Sequence, residues 1–372
     1  MKKINKTRVW MILTVVLVFL FTFGVAAEDS SYLSHNMELC KQKNKALQDY
    51  FEDVYNQTQN TEVFQNTMQK VNSYSSQINN IYTLPEATTR NMDDEIETLY
   101  LRGLCAGKIT WIYESNRTRL SEAGAQAVKT EADALILSAD QSDLSTLSAL
   151  SDQLCVAMNR AVYIQLLEEL KEENDSAECL TLIEGAKNDV KNKVESSDIL
   201  GSDYETIYTQ TKAQLAVQRL RDQANACLRA LYPTLCPGGS FENDTIPTLF
   251  RLQLQAKNTV AEMNALLKSS VETLIHNLIP DNAGEYAAAL RLELLDRVAD
   301  EWTSADAENR IASPDFLWDD FTLRLARANA KDKLKADFAA RPGWDDGTLT
   351  ALAEEYLADD GILAGFSSQA EL

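Results

Sequence analysis

Proline and glycine are scarce in this chain, seven and thirteen among 372 residues, and no proline lies between Pro85 and Pro233. Both fall below the usual shares of about 5% and about 7%. Proline breaks a helix and glycine loosens the backbone, so a chain poor in both reads as helices joined by short turns. Strict apolar-polar alternation, the mark of a half-buried strand, is also missing from the sequence. The predicted fold class is therefore all-α.

Histidine is rarer still, with only His35 and His276. Neither stands at the spacing of a zinc-protease helix or of the Glu-x-x-His pairs that hold a di-iron centre. Gly238-Gly239 is not followed by a phosphate-cradling pattern and reads as a turn, and no twelve-residue loop has the calcium-hand order. No cofactor or metal is expected from these residues. Adjacent acids recur, as in Glu168-Glu169 and Asp319-Asp320. Neighbours on a helix diverge by about 100°, so such pairs make solvated faces and not an acid-base dyad.

What is present begins with four basic residues, Lys2, Lys3, Lys6 and Arg8, then an apolar run from Val9 to Ala27, then Glu28 and Asp29. That is the layout of a secretory signal with cleavage after Ala27, and an uncleaved membrane anchor is its alternative. Removing the signal leaves 31 Lys and Arg against 56 Asp and Glu, a balance of −25. Such a surface repels phosphate, which argues against nucleic acid as a partner and limits membrane association to an uncleaved anchor.

Six cysteines, all in the exported part, suggest disulfides. Cys227 with Cys236 is the first expected pair, on the assumption that Pro233 ends a helix and lets the chain fold back. Cys40 with Cys105 is the second, placed at similar heights on two parallel helices. The remaining pair, Cys155 with Cys179, fits a hairpin badly, so one or more of the cysteines are expected to be free thiols.

The helical period is explicit in Leu33, Met37, Cys40, Asn44, Leu47, Phe51 and Val54, a heptad seam. It resumes with Phe64, Met68, Val71, Ser75, Ile78 and Tyr82, and again with Met92, Ile96, Leu99, Gly103, Ala106, Thr110 and Tyr113. Short connections between seams imply antiparallel neighbours. Further helices are expected from Leu144 to Glu173, from a Ser202/Glu205 capping box to Pro233, before Pro280, from Ser313-Pro314 to Pro342, and from Thr348 to Ala358. No repeat of 33 to 47 residues stands out.

The expected organisation is a signal over 1–27, an antiparallel long-helix bundle or set of elongated helical hairpins over 28–279, and a smaller helical unit over 280–372. The last stretch lacks cysteine, is acidic, and holds Trp302, Trp318 and Trp344. Tryptophan is enriched in binding hot spots. Trp302 continues the core stripe Leu290, Leu294 and Val298, whereas Trp318 points off its stripe and Trp344 stands in a turn, so Trp318 and Trp344 are the candidate contacts. The sequence reads as an exported, non-enzymatic helical binding or scaffolding protein whose partner is a protein or cell-surface component. Two other readings are an exported all-α hydrolase or carbohydrate-active enzyme using two distant carboxylates, and a membrane-tethered accessory protein.

Overall fold

Apolar side chains cover nearly every face of residues 93–116, and a helix of that kind must be enclosed by others. A computed structural model of the chain describes all residues except 1–5, 194–196, 304–306, 342–345, 359–360 and 369–372. The described chain is all-α, with no strand. Its helices are α1 (Lys6–Thr58), α2 (Thr61–Ile81), α3 (Asp93–Asn116), α4 (Glu122–Gln141), α5 (Leu144–Glu169), α6 (Ala177–Asn192) and α7 (Ser202–Leu235). They continue with α8 (Thr245–Leu254), α9 (Val260–Leu278), α10 (Glu285–Thr303), α11 (Phe321–Ala339) and α12 (Asp346–Leu357).

The chain divides into two compact units, one up to Lys212 and one from Ala213, so the division falls inside α7. Packing does not follow the change in composition near residue 280. In the second unit one core joins Leu228, Leu267, Leu274, Leu290, Leu294, Phe321 and Ala328 across that position. Alanine and aspartate enrichment after residue 280 alters the surface while the buried apolar period runs on.

In the first unit α3 packs against α1, α2, α4 and α5. Gly103 and Gly107, one turn apart, make this possible. A Cβ on Gly103 would lie 3.0 Å from Leu47 Cδ2, and one on Gly107 would lie 2.3 Å from Phe51 Cζ. These two contacts also fix the register, with α1 and α3 parallel and residue 47 level with 103. The first seam is buried at Cys40, Leu47, Phe51 and Val54, as its heptad spacing predicts. In α2 the buried positions begin at Val63 and Thr67, one residue ahead of the expected Phe64 and Met68, and join the seam at Val71.

Local chemistry sets the helix ends. The side chains of Ser121, Asp143 and Ser176 accept from the backbone amides of Gly124, Thr146 and Cys179, capping α4, α5 and α6. Thr259 and Glu262 form a reciprocal capping box on α9. The box expected from Ser202 and Glu205 does not form. Ser202 instead bonds Asp198, and Glu205 turns away to Arg119 and Tyr163, although the helix does start at Ser202. Pro233 also lies inside α7, which runs on to Leu235.

One polar arrangement recurs along the chain. A side chain on each odd-numbered helix reaches the loop that follows the next helix. Asn36 of α1 donates to the carbonyls of Ala87 and Arg90 at 2.9 and 3.0 Å, and its oxygen accepts from the Met92 amide at 3.1 Å. Arg102 of α3 donates to Ser142 O, and Asn159 of α5 to Asp198 O, both at 3.0 Å. Arg221 of α7 donates to Lys257 O at 3.0 Å. Asn264 of α9 repeats the Asn36 pattern, donating to Ala307 O and Arg310 O and accepting from the Ala312 amide. The chain is therefore a succession of helical hairpins whose inter-hairpin loops are held by a side chain from one helix earlier. The spacing between clamp residues varies, which hides the repeat from a search at fixed period.

Asn36 is fully buried, so truncating it would strand two carbonyls and an amide. Each stranded group costs about 1–3 kcal/mol. Asn36→Ala is expected to lower the stability of the first unit by roughly 2–5 kcal/mol in urea denaturation. Gln42→Ala, which breaks only an exposed bond to Glu38, should change it by less than about 0.5 kcal/mol.

Candidate binding groove

Tyr286, Ala289, Leu290 and Glu293 recur at helical spacing along one face of α10 and form one wall of a groove in the second unit. The other wall is Arg324, Arg327, Ala328 and Lys331 of α11, with Asp320 at its mouth; the volume is about 550 Å³. Glu293 pairs with Arg324 at 3.8 Å, while Lys331 lies over the Tyr286 ring at 5.1 Å. Contacts in that order mean that the two helices run antiparallel.

The walls are fixed at one end by Asp332, whose carboxylate accepts from the amides of Tyr286 and Ala287 at 3.0 and 2.9 Å. Those are unpaired donors of the first turn of α10, where the helix dipole favours an anion. Gly284 leaves room for this cap, since a Cβ there would lie 2.1 Å from the Asp332 carboxyl carbon. At the other end Arg297 and Arg324 lie over the Trp318 ring at 4.7 and 4.6 Å, and Trp318 stacks on buried Phe321. Trp318 is half-buried and packs between the two walls through these contacts. Trp302 joins the same core, donating from Nε1 to Asn264 O at 2.7 Å and meeting Phe316 edge to face. Trp344 lies outside the described residues.

The groove's lining sets three bases, Arg324, Arg327 and Lys331, against two acids, Glu293 and Asp320, in an acidic chain. Residues 281–372 carry 9 Lys and Arg against 20 Asp and Glu, yet α11 alone carries five bases, Arg324, Arg327, Lys331, Lys333 and Lys335, against Asp332 and Asp337. Arg324 is occupied by Asp320 at 2.9 Å and by Glu293. Arg327 donates to the Phe366 carbonyl beyond α12, the α11 member of the loop clamps described above, and its Nε is buried without a hydrogen-bond partner. The sequence signal is the three- and four-residue spacing of Arg324, Arg327 and Lys331.

Two further grooves are present. One, of about 570 Å³, lies in the first unit among α2, α3 and α4, and includes Tyr113, the bases Lys70, Arg117 and Lys129, and the acids Glu114 and Asp133 beside Asn66. It supplies two carboxylates, as the hydrolase reading requires, but Glu114 Oε2 is held by Asn66 at 2.9 Å and by Arg117 at 3.5 Å. The other, of about 540 Å³ in the second unit, is bordered by Tyr232, Cys236 and Asp244. Lys108 lies 3.0 Å from Ser151 Oγ, a pairing that can activate a serine. Both are buried and neither lines any of these grooves, so the pair solvates a buried ammonium. His35 and His276 are half-exposed and pair with Asp93 and Asp281.

All six cysteines are free thiols, which corrects both expected pairings. Cys227 and Cys236 are nine residues apart on one helical path, because Cys236 N still bonds Tyr232 O beyond Pro233. Nine residues span about 13 Å and face opposite sides, far beyond a disulfide. The register of Leu47 against Gly103 puts Cys105 level with residue 49, again about 13 Å along the axis from Cys40. Cys40 instead donates to Ile78 O at 3.2 Å. Cys236 is the one thiol of the six that is not fully buried.

No family model, curated protein or solved structure matches the chain.

Burial pushes the Cys155 and Cys227 thiols up to about 12 from 9.0, Cys227 further helped by the Glu301 and Asp315 charges. Unfolding exposes them, and above pH 9 the unfolded thiols ionise while the folded ones stay neutral. Stability is therefore fully present below pH 9 and falls as pH rises towards 12. Stability measured in urea between pH 8 and about pH 11 should fall less steeply in the Cys155→Val, Cys227→Val variant. At pH 8 a thiol reagent is expected to modify Cys236 first and the other five only after unfolding, with no Cys227–Cys236 linkage in non-reducing peptide maps.

Proposed function

We propose that the chain is an exported helical binding module and that the α10–α11 groove is its contact surface. The observation that carries this reading is the convergence of Arg327, Lys331 and Tyr286 on one groove in an otherwise acidic molecule. Charged and aromatic side chains around an apolar floor are the usual makings of a recognition site. Leu290 and Ala328, both nearly buried, form that floor. Within the second unit Asn264 and Asp332 tie the ends of α10 and so hold the groove's walls. The basic, apolar and acidic order of the first thirty residues supports the export part of this reading. The partner is a protein or a component of the cell surface, and the chemistry proposed is recognition without catalysis.

The fluorescently labelled mature protein, added to intact cells that produce it, is expected to be retained at their surface. Arg327→Gln with Lys331→Gln should lose most of that retention while keeping the helical circular-dichroism spectrum. Equal retention of the two proteins would move the contact surface elsewhere. N-terminal sequencing of the exported protein should begin at Glu28, and an intact Met1 or Lys2 would support the membrane-tethered reading instead.

A further inference from the structure

We infer that the groove over α3, between α2 and α4, binds an acidic sugar, a hydroxylated ring or short chain of such rings that bears a carboxylate. The site lies wholly in the first unit and does not rest on the reading of the α10–α11 groove.

The helices set its shape. Tyr74 packs on Gly103, Val71 packs on Gly107, and Asn66 bonds Glu114, so α2 runs antiparallel to α3. Arg102 near one end of α3 reaches Ser142 just past α4, and the Asp133 charge bears on Tyr113 further along, so α4 is antiparallel to α3 as well. The two flanking helices are therefore parallel walls, tied to each other where Tyr74 donates to Asp140 at 2.8 Å. Short of that tie, Thr110, Tyr113, Glu114 and Arg117 of α3 form the floor of a groove of about 570 Å³. Of the side chains that line it, only Ala132 and Ile136 are aliphatic.

Some of the lining groups are already engaged. Glu114 is held by Asn66 and Arg117, and Arg117 also by Glu62 at 2.9 Å. Ser73 and Thr110 direct their hydroxyl protons to carbonyls of their own helices at 2.7 Å, which leaves their oxygens as acceptors. Among the described residues no hydrogen bond or ion pair occupies the side chains of Lys70, Gln69, Tyr113, Lys129 or Asp133. Lys129 and Asp133 stand one turn apart on α4 and still form no ion pair.

The open groups select the ligand. Two ammoniums against one carboxylate leave a single positive charge in excess, which favours a singly charged anion over a phosphate-rich one. Lys70 is half-buried, so a ligand carboxylate there makes a charge-assisted bond partly shielded from water. An ammonium beside a carboxylate matches a vicinal diol, in which one hydroxyl accepts from Lys129 and its neighbour donates to Asp133. Gln69 and Tyr113 offer donors and acceptors to further hydroxyls. A lining with so few aliphatic groups gives the apolar face of a peptide little to bury. The one open carboxylate, Asp133, falls short of the pair that glycoside hydrolysis needs, so the inferred chemistry is binding.

The test uses the full exported chain, a glucuronosyl-glucose disaccharide as the probe and, as its neutral match, the same disaccharide with the carboxyl reduced. Titration calorimetry should show saturable binding of the acid that weakens with added salt, and binding of the reduced sugar about fivefold weaker. Lys70→Gln should weaken the acid by about fivefold and leave the reduced sugar unchanged, which erases the discrimination. Tyr113→Phe, which removes a hydroxyl that has no partner in the fold, should weaken both sugars alike. Lys129→Gln, at an exposed residue where folding is not at stake, should also weaken both, and thermal melts confirm that each variant is folded. Absence of saturable binding, equal affinity for acid and reduced sugar, discrimination that survives in folded Lys70→Gln, or unchanged affinity in folded Lys129→Gln would overturn the inference. So would tighter binding of glutamate or inorganic phosphate than of the acidic sugar. Competition by a glucuronate polysaccharide would assign the sugar to a polymer and its absence to a free saccharide, and either result supports the inferred chemistry.

Discussion

The architecture depends on buried backbone groups in the loops between hairpins. A loop packed between helices carries carbonyls and amides that no helix can pair, and leaving them dry is expensive. Ala87, Met92 and Ala312 are such residues, all nearly inaccessible to solvent. Asn36 and Asn264 answer with a short carboxamide that offers two donors and an acceptor in a plane, and each makes the same three bonds. Gly201 shows how tight such a junction is. Its positive φ of 65° permits the turn, and a Cβ there would lie 2.7 Å from the Asn159 side-chain oxygen.

The groove inherits its frame from the same logic. Asn264 holds the loop that follows α10, and Asp332 of α11 caps the start of α10. The two walls are thus fixed at both ends by bonds from side chain to backbone. Arg297, Trp318 and Arg324 stack between them. Bases that would be unremarkable on a solvated helix are held facing a common apolar floor.

Much of the fold was legible because burial follows helical period. The seam of α1, the start of α5 at Leu144, and the stripe Leu290, Leu294 and Val298 all lie where spacing puts them. Three things were not legible. Pro233 was read as a stop, but a proline in the last turn of a helix removes only one bond and the chain continued. The capping box at Ser202 lost to long-range partners, because Arg119 offers Glu205 a two-pronged ion pair that a local amide cannot match. The clamps were invisible because a buried asparagine looks, in sequence, like any polar residue on a helix. For the groove, the bases of α11 could be read directly, while the wall supplied by α10 depends on tertiary packing. The cysteine pairings failed because parity and compartment say nothing about register.

Hydrogen exchange at the Met92 and Ala312 amides tests the central claim most directly, since each donates to a clamp asparagine rather than to a helix carbonyl. Both should exchange as slowly as the Ile96 amide inside α3, which bonds the Met92 carbonyl, because opening them requires the hairpin to come apart. Exchange at the rate of a free loop amide, in a protein whose helices stay protected, would show that the asparagines do not hold the hairpins together.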